Sequence, residues 1–209
     1  MQCNIRYMAN GNVFLPLLDS QRDTFETLRR RSPLLSTVII AIAIRVSGGS
    51  ATDADKGECL REAQQLAAGS LFTNAHDLET IQGMLLLSAY SERNWFAISH
   101  MHKMSQDNGL SSLLHRGSDA PGAGGSIPEI GSRAQAQAVR TALLVHQVEL
   151  EVATGTAQQS KSTPVDESFL RHFVQNKFST AHDVRIAATV ELAQLRGGSC
   201  AYLGFRMMC

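Results

Sequence analysis

LETIQGMLLLSAYSERNWFAISHMHKMSQDNGL, residues 78 to 110, decides the fold of this chain, because it reads as two buried helices joined by a short polar turn. Asp77 is placed to cap the first helix and Asn94 the second, each side-chain oxygen accepting from backbone N–H groups that the first turn leaves without partners. Gly109 is placed to end the second helix in a left-handed conformation. The first helix is apolar nearly all round, a pattern that belongs inside a larger helical domain rather than on its surface. No catalytic motif lies in the pair.

Outward from this centre the helical signals continue in both directions. Before it, Ser32-Pro33 supplies an N-cap followed by proline at the first helical position, and the helix it opens runs from Pro33 to Val46, up to Ser47-Gly48-Gly49. Its β-branched residues would also suit a buried strand, but no second strand-like run exists for it to pair with, so helix is the expectation. A polar helix or long turn covers Ser20 to Arg30. A further helix from about Asp55 to Leu71 turns Cys59, Leu60, Ala63, Leu66, Ala67 and Leu71 toward one side. After the central pair, GSDAPGAGGSIPEIG within residues 116–131 is a Gly/Pro/Ser-rich loop and the segment expected to be disordered. Ser132 and Gln135 then form a capping box, and Val139, Leu143, His146 and Leu150 continue one helical face to about Thr154. Asp166 caps a short helix with Phe169, Leu170, Phe173 and Val174 inward. A last helix, from about His182 to Leu195, is expected to stop at Gly197-Gly198. The sum is an all-α fold, an irregular bundle of about seven helices without a strand.

Composition bounds the function classes. The 209 residues suffice for one domain with a sizeable core, and 44% hydrophobic with 18% charged residues is ordinary for a folded protein. Lys+Arg and Asp+Glu both number 19. That balance lacks the basic excess from which a free-standing nucleic-acid binder draws most of its affinity. Cys3, Cys59, Cys200 and Cys209 form no C-x-x-C pair and lie at no zinc-ligand spacing, which favours reduced thiols inside a cell. MQCNIRYMANGN has no continuous apolar core of the kind a signal peptide carries, and the run from Leu34 to Ile44 falls short of the roughly 20 residues that span a bilayer.

Catalytic and metal chemistry finds no foothold in the sequence. His100 and His102 are two apart and diverge on a helix, so they do not converge on one ion as an i, i+4 pair does. His146 has Glu149 and Glu151 close in sequence, but a satisfied core histidine is the commoner role for such a position. Gly122, Gly124 and Gly125 follow no strand and lack the Lys-Ser/Thr pair of a phosphate loop. None of the Gly-Ser pairs forms the nucleophile elbow of a serine hydrolase. Arg29-Arg30-Arg31 is the one compact basic cluster and reads as a solvated helix end salt-bridged to Asp23 and Glu26. The methionines, Met84, Met101 and Met104 among them, read as core. An enzyme is not expected, and neither is a cofactor or a metal.

What remains is the order of the helices and their wording. FETLRRRSPLLSTVIIAIAIR at Phe25 to Arg45, AQQLAAGSLF at Ala63 to Phe72, the central pair, RTALLVHQVELEVATGTAQQ at Arg140 to Gln159 and HDVRIAATVELAQLRG at His182 to Gly197 follow one another along most of the chain. Together they resemble the middle homology region of fungal zinc-cluster (Zn2Cys6) transcription factors. In that family an LET-x-Q-A-LLLL-x-x-Y-type helix precedes a Trp-containing helix ending in a D-x-GL-type cap. The resemblance implies a helical regulatory domain over residues 14–197, after an irregular lead-in at 1–13, which works in the nucleus through protein partners and senses small-molecule inducers. For such a domain, a ligand or partner pocket is expected at Trp95, Phe96, Met101 and His146, although a tryptophan so placed is more often core than ligand cage.

The chain departs from the family at four places. The six-cysteine zinc cluster is absent, so no direct nucleic-acid binding is expected of this chain alone. Ala142 and Leu143 stand where the family places two tryptophans, and Gly155-Thr156-Ala157 stands for its Gly-Arg-Pro. The tail at 198–209, GGSCAYLGFRMMC, ends where the family continues with more helices, which implies a truncated form. An alternative expectation follows, a stand-alone helical module that dimerises with itself or competes with an intact relative. Apart from the resemblance, the sequence points to the cytoplasm, and no membrane is expected as a partner.

Overall fold

In the computed structural model, residues 11–19, 22–46, 53–71, 77–90, 95–115, 129–156, 158, 160 and 162–207 are described, with 53–56, 95 and 198–207 described by their backbone alone. Among them are ten helices and no strand, so the all-α expectation holds while the count exceeds seven. The additional helices are short. α1 (Asn12–Phe14) and α7 (Leu110–Leu113) are about one turn each, and α2 (Phe25–Arg31) occupies the end of the segment read as a polar helix or long turn. The chain forms two compact units, Met1–Asn108 and Gly109–Cys209.

Unit 1 is built on α3 (Pro33–Val46), α4 (Asp53–Ser70), α5 (Leu78–Tyr90) and α6 (Trp95–Asp107). The Ser32 hydroxyl caps α3 by accepting from Leu35 N at 3.2 Å, and Asp77 caps α5 by accepting from Thr80 N at 2.7 Å. Asn94, Ser47, Gly48 and Gly49 lie outside the described residues. The central expectation about α5 is met along its middle: every residue from Ile81 to Ser88 is buried, while Leu78 and Tyr90 are half-buried and Ala89 is exposed. Gly83 explains how α5 reaches α3 so closely. A Cβ there would lie 3.0 Å from Leu34 Cγ and 3.2 Å from the backbone nitrogen of Leu35, so hydrogen is the substituent that fits.

The face of α4 differs from its expectation. Ala63, Ala67 and Ser70 are the buried positions, while Cys59, Leu60 and Leu71 are half-buried and Leu66 is exposed. The i, i+4, i+7 set of small residues points inward, which lets the helix lie near its neighbours without a large side chain between them. A polar strap closes the other side of the unit. Asn12 pairs with the backbone of Leu18, Gln82 Nε2 donates to the Leu17 carbonyl at 3.1 Å, and buried Asp23 accepts from Arg31, which also pairs with Glu79 at 3.1 Å. Arg31 thus spends its charge on structure, in the salt-bridged role expected for the basic cluster, with Asp23 as its partner.

Unit 2 begins at Gly109, whose φ of 77° is the left-handed conformation expected of it. The loop at 116–128 and Cys3, Cys200 and Cys209 fall outside the described side chains. α8 (Arg133–Gly155), α9 (Glu167–Gln175) and α10 (Ala181–Met207) make the body of the unit. Ser132 caps α8 through Gln135 N at 3.2 Å, and the Gln135 carboxamide reaches back to Gly131 N at 2.8 Å, one residue earlier than the capping box predicts. Asp166 caps α9 through Ser168 N at 2.9 Å. Val139, Leu143, His146 and Leu150 are all buried, and so are Ala142 and Leu143 at the positions where the tryptophans were sought.

The last helix corrects the sequence reading. α10 continues past Gly197 and Gly198 to Met207 instead of stopping at the glycine pair. Glycine weakens a helix by about 1 kcal/mol relative to alanine, and the ending it commonly supplies comes from turning left-handed. Gly109 is the one described glycine with positive φ.

Candidate functional site

Two features in separate units have the chemistry of a site, a pocket in unit 1 and a polar seam in unit 2. The pocket lies where three helices end together. α3 and α5 run the same way, since Gly83 faces Leu34 and Leu35 early in α3 while Tyr90 and Arg45 meet near the two C-termini. α4 packs chiefly on α3, and its first turns reach the same end. The resulting cavity, about 280 Å³, is lined by Val38, Ala41, Ile42 and Arg45 from α3, Gly57 and Leu60 from α4, and Leu87 and Tyr90 from α5. Small-molecule sites start near this volume, at about 300 Å³, and are characteristically apolar with a few placed polar groups.

Arg45 is the charge at this pocket. Its Nη1 donates to the Tyr90 carbonyl at 3.0 Å, a contact that satisfies one of the carbonyls left open at the C-terminus of α5. The bond spans 45 residues of sequence and ties the exposed guanidinium to the neighbouring helix. Among the described residues no carboxylate pairs with it. Gly57 contributes by what it lacks, because a Cβ built there meets nothing within 4 Å.

In unit 2 the seam between α8 and α10 is polar and buried. Arg140 Nε and Nη2 donate to the two carboxylate oxygens of Asp183 at 2.5 and 2.7 Å, a bidentate pair. Asp183 also accepts from Thr180 N at 2.8 Å, which makes it the carboxylate of a capping box at the start of α10. Farther along, the Thr189 hydroxyl donates to Gln147 Oε1 at 2.9 Å. The sequence separation is 43 residues at the first contact and 42 at the second, and a separation that stays nearly constant means that α8 and α10 run in the same direction.

Gln194 forms the third link and fixes a proton. Its Oε1 accepts from Val165 N at 2.6 Å and its Nε2 donates to Val165 O at 3.2 Å, a two-point pairing that only one orientation of the amide allows. His146 Nε2 sits 3.2 Å from the same Oε1, so that ring nitrogen is the donor. His146 is therefore a core histidine engaged by Gln194. The nearby glutamates serve other groups: Glu149 accepts from the Ser160 hydroxyl at 2.8 Å and Glu151 from Gln147 Nε2 at 2.8 Å.

The residues singled out from sequence are thus dispersed. Met101 is fully buried in unit 1, Phe96 on the same helix is 47% exposed, and the Trp95 side chain lies outside the described residues. His146 belongs to the other unit. Phe96, Met101 and His146 do not line the pocket. His100 and His102 diverge, the first toward the Ser70 hydroxyl at 3.2 Å and the second toward Gln106 at 3.0 Å. The sequence reading missed Arg45, Gly57 and Tyr90. Each carried a modest signal: a lone cation closing an apolar run, a glycine inside a helical pattern, and an aromatic residue at a helix end. Only the meeting of three helix ends joins them.

No group of metal-ligating side chains occurs among the described residues, and no helix there is long and apolar enough to cross a membrane. No family profile, curated protein or solved structure matches the chain.

Proposed function

We propose that this protein is a helical regulatory module of the kind found in fungal zinc-cluster transcription factors, acting in the nucleus on protein partners and responding to small molecules. The observation that carries the reading is the fit between wording and architecture. The described residues of each of the five sequence blocks lie mainly in helix, and two of the blocks, Phe25 to Arg45 and Leu78 to Leu110, supply most of the wall of the unit 1 pocket. A pocket of small-molecule size within a helical scaffold suits a sensor. The balance of acidic and basic residues suits a module that relies on another segment or subunit for contact with DNA.

Fusing the chain to an unrelated DNA-binding domain tests this reading. The fusion is expected to raise or lower reporter output relative to the DNA-binding domain alone. Output equal to that control, from a fusion shown to be folded and nuclear, would contradict it.

A second reading is favoured by one surface. Val184, Ala188, Leu192 and Leu195 of α10 are all exposed and fall on one side of the helix. A stripe of this kind suits association with a second copy of the chain, as a stand-alone dimerising or competing module would need. Native mass spectrometry is expected to find a dimer that the double substitution Leu192→Glu, Leu195→Glu dissociates. A strict monomer removes this reading and leaves the first intact.

A further inference from the structure

We propose that the unit 1 pocket binds a small amphipathic monocarboxylate, with the apolar body among Val38, Ile42, Leu60 and Leu87 and the carboxylate on the Arg45 guanidinium. Size comes first. An apolar cavity of about 150 Å³ is enough to take up benzene. The cavity of about 280 Å³ therefore has room for a ring with a short chain attached.

The chemistry of the walls then selects the head group. Aliphatic side chains from three helices line the body of the pocket, and Arg45 is the lining residue that carries a charge. A guanidinium has five N–H donors in a planar fork. The described contacts of Arg45 use one nitrogen, on the Tyr90 carbonyl, and include no carboxylate. A carboxylate is the group that matches such a fork in both charge and shape. Contrast with Arg31 and Arg140 sharpens the point, because each of those already holds a carboxylate of this chain.

The pocket also favours binding by being partly set before the ligand arrives. Tethering Arg45 to Tyr90 restrains a long side chain beside the cavity, which lowers the ordering cost that binding would otherwise carry. Gly57 leaves open the space that a side chain on α4 would take. This inference rests on the walls of the pocket and stands apart from any role in transcription, so ligand binding and reporter output can fail separately.

Isothermal titration of the full chain with phenylbutyrate and with phenylbutanamide, its uncharged counterpart, tests the proposal. Phenylbutyrate is expected to saturate the protein with a Kd below about 1 mM and to bind at least ~10-fold more tightly than the amide. Arg45→Gln, at an exposed position, is expected to erase that preference while the far-ultraviolet circular dichroism stays unchanged. Gly57→Leu is expected to fill the cavity and abolish binding of both compounds. Absence of binding by either compound overturns the proposal. So does equal binding of acid and amide, a preference that survives Arg45→Gln, or acid binding that survives Gly57→Leu, the last meaning that the acid binds elsewhere.

Discussion

In unit 1, α5 buries an unbroken run from Ile81 to Ser88 and meets α3 across a glycine, whereas in unit 2 α8 and α10 meet across Arg140 and Asp183, Gln147 and Thr189. Apolar packing is non-directional and does not fix which turns face each other, and the converging ends of α3, α4 and α5 leave a pocket between them. Hydrogen-bonded pairs are directional and fix which turn of α8 faces which turn of α10. The described pocket lies in the unit where α3 and α5 meet through apolar side chains. The unit with polar contacts has its register fixed at three points, since Gln194 adds the tie to His146 and Val165.

The largest effect should come from breaking the polar seam on one side. Asp183→Ala leaves the Arg140 charge buried without its partner and is expected to cost about 3–5 kcal/mol. Replacing both residues by apolar ones, Arg140→Met with Asp183→Leu, should recover most of that loss, because the pair's own desolvation then disappears. The protein has a single tryptophan, Trp95, in unit 1. Urea unfolding followed by circular dichroism should show the loss, while Trp95 fluorescence should keep its midpoint. A matching drop in the fluorescence midpoint would mean that the units unfold as one.

A smaller effect is expected where the apolar unit is tightest. Gly83→Val pushes two methyl groups toward Leu34 and the Leu35 backbone, and overpacking of this kind costs about 1–3 kcal/mol. Here the fluorescence midpoint should fall. The smallest effect is expected at the loosest point, and with the opposite sign. Gly57→Ala adds a methyl group into open space on a helix and should stabilise unit 1 by up to about 1 kcal/mol. Destabilisation by this substitution would show that the cavity is smaller than its walls indicate.

Much of this fold was legible in the sequence because its signals are local. Asp77, Ser32, Ser132 and Asp166 announce helix starts through side-chain oxygens that need only the next turn for a partner, and all four make that contact. The all-round apolar character of residues 78–90 implies burial without reference to any partner helix. Gly109 and Gly197-Gly198 show where local reasoning divides. Both follow helical runs, yet only Gly109 turns left-handed, and the choice depends on what lies beyond the glycine.

The site was much less legible. Trp95, Phe96, Met101 and His146 were grouped by residue type, and the chain distributes them over two units, one on a surface and two in cores. Arg45, Gly57 and Tyr90 are far apart in sequence and come together only because the start of α4 reaches the C-terminal ends of α3 and α5. Periodicity assigns residues to faces of a helix, but it does not say which helix ends coincide. Likewise the tautomer of His146 follows from how Gln194 pairs with Val165, a relation across 29 residues that no local pattern carries.

Hydrogen exchange of the intact chain with and without phenylbutyrate reads the contrast between an adaptable unit 1 and a pinned unit 2 most directly. Added protection is predicted around Val38 to Arg45, Gly57 to Leu60 and Leu87 to Tyr90, with exchange along the α8 and α10 seam unchanged. Protection confined to unit 2, or no change in either unit, would contradict it.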